Sequence, residues 1–329
     1  MRLVALLFFG VLGLGLILGS PVALADPEPP ATRPAGPDLS KYKLPPNFND
    51  LSDQDKSLII LTQEADMGNP DAMMELGLIF EQGLLGRRDF GQALNWFKKA
   101  ADKKLPAGYY SVGMAYLVGQ GDVPNIILAL ENIRRAAALN YPMANFQLAV
   151  MYLRGQHVTQ NNAEGVKYLK KAADVGLPLA INELGVINYS GLWGQRTNKT
   201  EALKQFQRAA ELGFGESMRN LALCYLNGEG QAKDDVQALK WFLLAQVVGF
   251  APAEMEKAAL DIKTTLKPEQ IAQAEKEAQA WVNAFQAKIQ SQQQALLSAN
   301  APTKPSEAKP AAKPAAKPAA KPSKPRSRR

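Results

Sequence analysis

Cysteine and histidine are nearly missing from this 329-residue chain, Cys224 and His157 each standing alone. A single cysteine excludes an intramolecular disulfide. Cys224 and His157 lie far apart in sequence, so neither a Cys–His nucleophile pair nor a zinc ligand set is supported. Cys224, between Leu223 and Tyr225 on an apolar helical stretch, reads as a buried small side chain. Carboxylates are plentiful but follow no spacing that selects a glycosidase or metal site over ordinary helix surface. No glycine cluster opens a helix after a strand in the manner of a phosphate-binding loop. No catalytic centre is readable, and no cofactor or metal is expected.

Net charge is also scarce over most of the chain. From Asn300 onward there are six Lys and three Arg against one Glu, a sum of +8, while the whole chain carries +7, so everything upstream totals −1. The basic character therefore belongs to residues 300–329, where Lys-Pro-Ala-Ala repeats from Lys309 to Lys321. Proline at every fourth place forbids a continuous helix. This tail resembles the lysine-, alanine- and proline-rich ends of histone-like proteins, which raises nucleic acid as a partner. The beginning of the chain argues against that partner. Met1-Arg2 precedes an uncharged apolar run from Leu3 to Leu18 and then Ala23-Leu24-Ala25, the plan of a secretory signal with cleavage after Ala25. An uncleaved membrane anchor is the alternative. In an envelope compartment the tail would meet anionic lipids and wall polymers, or serve as a spacer without a fixed partner. Residues 26–51, with seven prolines between Asp26 and Asp50, are expected to be an extended linker.

Between these ends a unit of 36 residues is repeated five times. A Leu-Gly-like pair recurs at Leu76-Gly77, Val112-Gly113, Leu148-Ala149, Leu184-Gly185 and Leu221-Ala222, spaced by 36, 36, 36 and 37 residues. The fourth unit thus carries one extra residue. Gly83, Gly119, Gly155, Gly191 and Gly228 follow each pair, and a second helical stretch ends in Ala100-Ala101, Ala136-Ala137, Ala172-Ala173, Ala209-Ala210 and Ala245-Gln246. Apolar residues at helical spacing around a glycine turn describe a helical hairpin. Such hairpins bury their apolar faces by stacking on their neighbours. Pro70, Pro106, Pro142 and Pro178 open four of the units. His157 stands in the turn where other units have Gly121 and Gly230, a position expected to have positive φ.

Ala72, Leu76, Gly77, Phe80 and Gly83, followed by Ala93, Trp96, Phe97, Lys99, Ala100 and Ala101, resemble the Sel-one-like repeat family, a relative of the tetratricopeptide repeats. The resemblance implies an all-α fold, an α/α superhelical solenoid of about five helix-turn-helix repeats over residues 52–299. Leu51 to Met67 reads as a half-repeat cap at the N-terminal end. The segment from Leu266 to Ile271 resembles the start of the helix that closes such arrays, with Lys267 where a threonine cap is usual. The stripe Ile271, Ala274, Ala278, Trp281, Phe285 and Ile289 continues that helix, either as a cap or as one strand of a coiled coil.

The resemblance also implies a binding scaffold in place of an enzyme, with an unknown protein or peptide held on the concave face lined by first helices. By position, that groove comprises Tyr110, Met114 and Leu117, then Met143, Phe146, Val150, Leu153 and Arg154, then Asn182 and Val186, and finally Arg219. The same positions can be filled by helix packing, so both readings stand at this stage. The expectation is an exported, monomeric solenoid of the bacterial envelope, bound to membrane only if the signal stays uncleaved. The alternatives are an accessory to a wall-acting enzyme or a polyanion-binding protein working through its tail.

Overall fold

The computed structural model describes residues 39–299, so the expected signal 1–25, residues 26–38 of the expected linker and the basic tail 300–329 lie outside the described residues. Among the described residues there are thirteen α-helices and no strand. The chain divides into two compact units, with the boundary after Ala280 in the last helix.

The first unit opens with α1 (Asp53–Asp66), the expected half-repeat, capped by the Ser52 hydroxyl, which accepts from the Asp55 N–H. Five hairpins follow: α2 (Pro70–Gln82) with α3 (Phe90–Asp102), α4 (Pro106–Val118) with α5 (Ile126–Ala138), α6 (Pro142–Arg154) with α7 (Asn162–Asp174), α8 (Pro178–Ser190) with α9 (Lys199–Ala210), and α10 (Gly215–Asn227) with α11 (Asp235–Val247). Proline suits the first turn of α2, α4, α6 and α8 because the N–H it lacks would have no helical partner there. Each first helix stops at a left-handed glycine, φ between 66° and 76°, a conformation that only glycine adopts freely.

A second device fixes each turn. Asp89, Asn125, Asn161, Asn198 and Asp234 cap α3, α5, α7, α9 and α11, the Oδ1 accepting the N–H three residues on at 2.9–3.1 Å. The same five residues donate their own N–H to the carbonyls of Phe80, Tyr116, Tyr152, Asn188 and Tyr225. The end of one helix is thereby tied to the start of the next, and both orphan sets of backbone groups are partly satisfied. The fourth tie spans one residue more than the others. The inserted residue therefore lies in the α8–α9 turn, where Trp193 takes φ 56° and lays its indole on the core beneath. His157 has φ 62°, as its place among Gly121 and Gly230 implied.

The two helices of a hairpin meet at the small residue of each Leu-Gly-like pair. Phe97, Ile133 and Phe206 stand against Gly77, Gly113 and Gly185, and they are buried, as are Leu169 and Phe242 at the same register. The alanines ending each second helix are buried too, from Ala100 and Ala101 through Ala209 and Ala210. A Cβ on Gly108 would come within 2.6 Å of the Ala101 nitrogen, so successive units approach with almost no side chain between them.

Two departures from the sequence reading concern the ends. The linker expected over residues 26–51 is not an extended spacer in its second half. Tyr42 and Phe48 are buried, the Tyr42 hydroxyl donates to Glu64 at 2.7 Å, and the Lys43 N–H donates to the Gln63 side chain. Those two rings supply the apolar area that repays ordering of an otherwise polar, proline-rich segment. At the other end, α12 (Ala253–Thr265) precedes α13 (Pro268–Ala299), so a divergent helix pair closes the array where a single helix was expected. The Lys267 N–H donates to the Gln270 side chain, which supplies a cap from within α13 in place of the missing threonine. Glu277 of α13 accepts from Gln237 at 2.8 Å and pairs with Lys240 of α11, while Glu275 pairs with Lys263 of α12. Ala274 and Ala278 are buried, as the stripe required. In the second unit, the Trp281 and Phe285 rings stack 4.8 Å apart.

The Gly77 contact gives a direct test of hairpin packing. A Cβ there would stand 2.3 Å from Phe97 Cε1, whereas on Gly91, early in α3, the nearest atom would be 3.4 Å away. Gly77→Ala is expected to lower stability by about 1–3 kcal/mol through overpacking. Gly91→Ala is expected to raise it by about 0.5–1 kcal/mol through helix propensity. Urea unfolding of the two variants shows opposite signs.

Candidate partner-binding face

The first helices present a continuous face made by the residues just before and after each Leu-Gly-like pair. Tyr110, Met114, Leu117, Met143, Phe146, Val150, Val186 and Arg219 are all partly buried, and Arg154 at the end of α6 is exposed. They share their area between the face and the core. Tyr110 lies 5.4 Å from the Tyr141 ring, and burial pushes both phenols above the usual tyrosine range. Met114 and Leu117 pack against the core around Leu148, and Phe146 against the core around Leu169.

Two of the expected groove residues are not on this face. Leu153, 6% exposed, sits over Gly165 at the α6–α7 contact, where a Cβ would meet its Cγ at 2.6 Å. Asn182 is wholly buried. Its Oδ1 accepts from the Ser217 hydroxyl at 2.8 Å and from Asn220 Nδ2 at 3.1 Å. Asn182 thus joins the fourth and fifth units from behind the face and does not contact anything outside it. Helix spacing alone could not separate these two from their neighbours, because one residue of rotation decides between face and interface.

Between α8 and α10 the face deepens into a recess of about 230 Å³ lined by Val186, Tyr189, Phe206, Arg219, Asn220, Leu223 and Cys224. Val186 and Arg219 were expected here. Tyr189, Asn220 and Leu223 were not, although the displaced tyrosine of the fourth unit was a readable signal: Asn188 occupies the place of Tyr152, and Tyr189 falls one residue later. Its hydroxyl donates to Glu229, which also accepts from Lys199 Nζ at 2.6 Å. The Glu229 carboxylate holds the Tyr189 proton so that this phenol titrates at about 12. Hydrogen bonds from Lys199 and Tyr189 hold Glu229 below the usual carboxylate range. Burial, with the nearby Glu229 charge, pushes the Cys224 thiol up to about 11. A protonated, buried thiol is a packing group, not a nucleophile.

Charge on the face is mixed. Burial and the neighbouring Glu216 raise Glu183, against the pull of Arg154. Burial also raises Glu81, opposed by Arg88. A second recess of about 180 Å³, between α3, α4 and α5, is rimmed by Lys98 and Arg135. Both cations there are answered, Arg135 by Glu131 at 2.7 Å and Lys98 by the Tyr116 ring. Among the described residues no cluster of His, Cys, Asp and Glu could hold a metal ion, and no helix is long and apolar enough to cross a membrane.

The described residues form a row of hairpins presenting apolar and polar groups along the first helices. The family model of the Sel1 repeat matches residues 70–105, 106–141, 142–177, 178–214 and 215–245, each boundary falling at the start of a first helix. The chain belongs to the Sel1 repeat family. Among solved structures, it resembles c5321, described as a protective antigen present in uropathogenic Escherichia coli strains displaying an SLR fold, with 27% identity and a TM-score of 0.60, covering 73% of this chain and 51% of that one. A Sel1 repeat protein from Oxalobacter formigenes is similar at 27% identity and a TM-score of 0.58, covering 62% of this chain and 58% of that one. Among curated proteins, the ERAD-associated E3 ubiquitin-protein ligase component HRD3A of Arabidopsis thaliana is 41% identical over 70 residues, 21% of this chain and 10% of that protein. The chain therefore spans about a tenth of the length of that relative.

The link of Lys199, Glu229 and Tyr189 generates a pH dependence. Raised from an unfolded value near 10 to about 12, Tyr189 contributes stability that is complete below pH 10 and lost as the pH rises through 12. Glu229, lowered from its ordinary 4.5, contributes stability above that value that is lost as the pH falls below it. Thermal melts from pH 9 to 12 are expected to fall more steeply for the native chain than for Tyr189→Phe. All other titrating groups are common to both proteins and cancel in the comparison.

Proposed function

We propose that this Sel1 repeat protein is an exported scaffold of the bacterial envelope that holds a protein or peptide partner on its first-helix face. Sel1 repeat proteins serve as protein-interaction scaffolds, and the recess between α8 and α10 is the single observation that carries the reading to a particular surface. Partly exposed apolar groups flanked by answered and unanswered charges are the composition of an interaction patch. Export is supported by Arg2, the apolar run from Leu3 to Leu18 and Ala23-Leu24-Ala25, which together have the plan of a cleaved signal. The basic tail supports a second contact, salt-sensitive attraction to anionic envelope polymers.

The test places a photo-crosslinking amino acid at Met114 or Val150 on the face, and at the exposed Lys204 of α9 as a control, in living bacteria. Discrete adducts from the first two positions and none from Lys204 are expected. Adducts from Lys204 alone, or from none of the three, overturn the scaffold reading. The intact mass of the same purified protein is expected to start at Asp26, and a mass that retains residues 1–25 overturns export with cleavage.

A further inference from the structure

The near-zero charge of the chain before its tail hides a division within the hairpins. The second helices α3, α5, α7 and α9 carry ten cations against five carboxylates, whereas the first helices α2, α4, α6 and α8 carry one against four. The excess is arranged in register. Lys98, Arg134 and Lys170 form one column and Lys99, Arg135, Lys171 and Arg208 the next, one residue per unit in each. All are exposed except the half-buried Lys98. Glu131, Glu164 and Glu201 of the same helices are taken by Arg135, Lys167 and Lys204. Among the described residues, Lys98, Lys99, Arg134, Lys170, Lys171 and Arg208 make no ion pair, and Asp102 and Asp174 at the ends of α3 and α7 pair with none of them.

Four of these six cations are held in place without losing their charge. Lys99 Nζ lies 3.6 Å from the centre of the Trp96 ring, Lys98 Nζ 5.1 Å from that of Tyr116 and Lys171 Nζ 5.3 Å from that of Tyr168. Arg208 Nη2 donates to the Ala173 carbonyl of the preceding unit at 2.8 Å. A ring face or a carbonyl orients a cation and leaves its net charge in place. Oriented like charges in file attract a polyanion.

The surroundings decide which polyanion. Ile127 is the one exposed large apolar side chain of these four helices, so a bilayer would gain almost nothing from the face beyond charge. No sheet edge or apolar groove accompanies the cations to anchor a polypeptide. Nucleic-acid bases need free aromatic faces, and the rings here are engaged, Trp96 by Lys99 and Tyr168 by both Lys171 and the stacked Tyr152 ring. The band does contain the recess of about 180 Å³ rimmed by Lys98 and Arg135. Asn132 lines it at the register place of Trp96, Tyr168 and Trp241, together with Asp102, Tyr109 and Tyr116. Amide, carboxylate and phenol groups around a small hollow suit a hydroxyl-bearing sugar ring.

We propose that the outer face of the second helices binds an anionic polysaccharide, its acidic groups on Lys98, Lys99, Arg134, Lys170, Lys171 and Arg208 and one sugar ring in the recess beside Asn132. The site is separate from the first-helix face and from the basic tail. It rests on the envelope reading, which supplies such polymers.

The probe is fluorescein-labelled polygalacturonate, with neutral dextran as the uncharged control, and the readout is fluorescence anisotropy with the full chain at low salt. Binding of polygalacturonate that weakens with added salt is expected, and none of dextran. Arg134→Glu with Lys170→Glu changes two side chains that make no hydrogen bond or ring contact among the described residues, and is expected to weaken binding about tenfold or more. Lys257→Glu with Lys276→Glu makes the same change of charge on α12 and α13, with the tail intact, and is expected to leave binding close to native. Equal weakening by the two pairs assigns the binding to overall charge or the tail and overturns the proposal. Failure of the native chain to bind polygalacturonate overturns it too, as does tighter binding of polyglutamate, oligothymidylate or phosphatidylglycerol vesicles; none of these results depends on a variant folding. The intact mass decides export separately, so the two readings can fail independently.

Discussion

Everything in the array depends on how closely two helices can approach at one small residue. Where Gly77, Gly113 and Gly185 face Phe97, Ile133 and Phe206, a methyl group would come within 2.3–2.7 Å of the opposing side chain. Ala149 and Ala222 hold the same register place in the third and fifth units, and both are fully buried. This contact sets the distance between the helices of each hairpin. The capping asparagines and aspartates set the turn, and the paired alanines set the distance to the next unit. Because each contact reaches only the adjacent unit, the fold is a sum of neighbouring interactions, and the two ends need covers. The segment around Tyr42 and Phe48 with α1 provides one, and α12 with the beginning of α13 provides the other.

The first-helix face changes where a unit departs from the repeat. The fourth and fifth units depart most: one inserted residue in the α8–α9 turn, a tyrosine displaced to Tyr189, asparagine and arginine at the places where the second and third units carry Tyr110 and Phe146. Aromatic rings at those places close the seam between first helices in the earlier units. Replacing them by Asn182 and Arg219 exchanges apolar packing for a hydrogen-bonded line through Ser217 and Asn220 and leaves a recess beside it.

The repeat was legible because its signals are local and redundant: the period, the glycine turns, the proline starts and the alanine pairs agree. The same redundancy located the inserted residue and the left-handed His157. Other features depended on distance relations that no period carries. Tyr42 and Phe48 were hidden in a proline-rich stretch whose average composition spoke for a linker, and α12 departs too far from the unit to be read as a first helix. On the candidate face, Val186 and Arg219 could be placed by register. Leu153 could not, since its burial follows from Gly165 one helix away, and Asn182 could not, since its partners Ser217 and Asn220 belong to the next unit.

The most direct test of the claim that one small residue sets the helix separation is a crystal structure of the Gly113→Ala variant. The α4–α5 pair is expected to open around Ile133, whose Cγ1 would stand 2.7 Å from the added methyl, while hairpins two units away keep their native spacing. An unchanged α4–α5 spacing with Ile133 in its native position would contradict it.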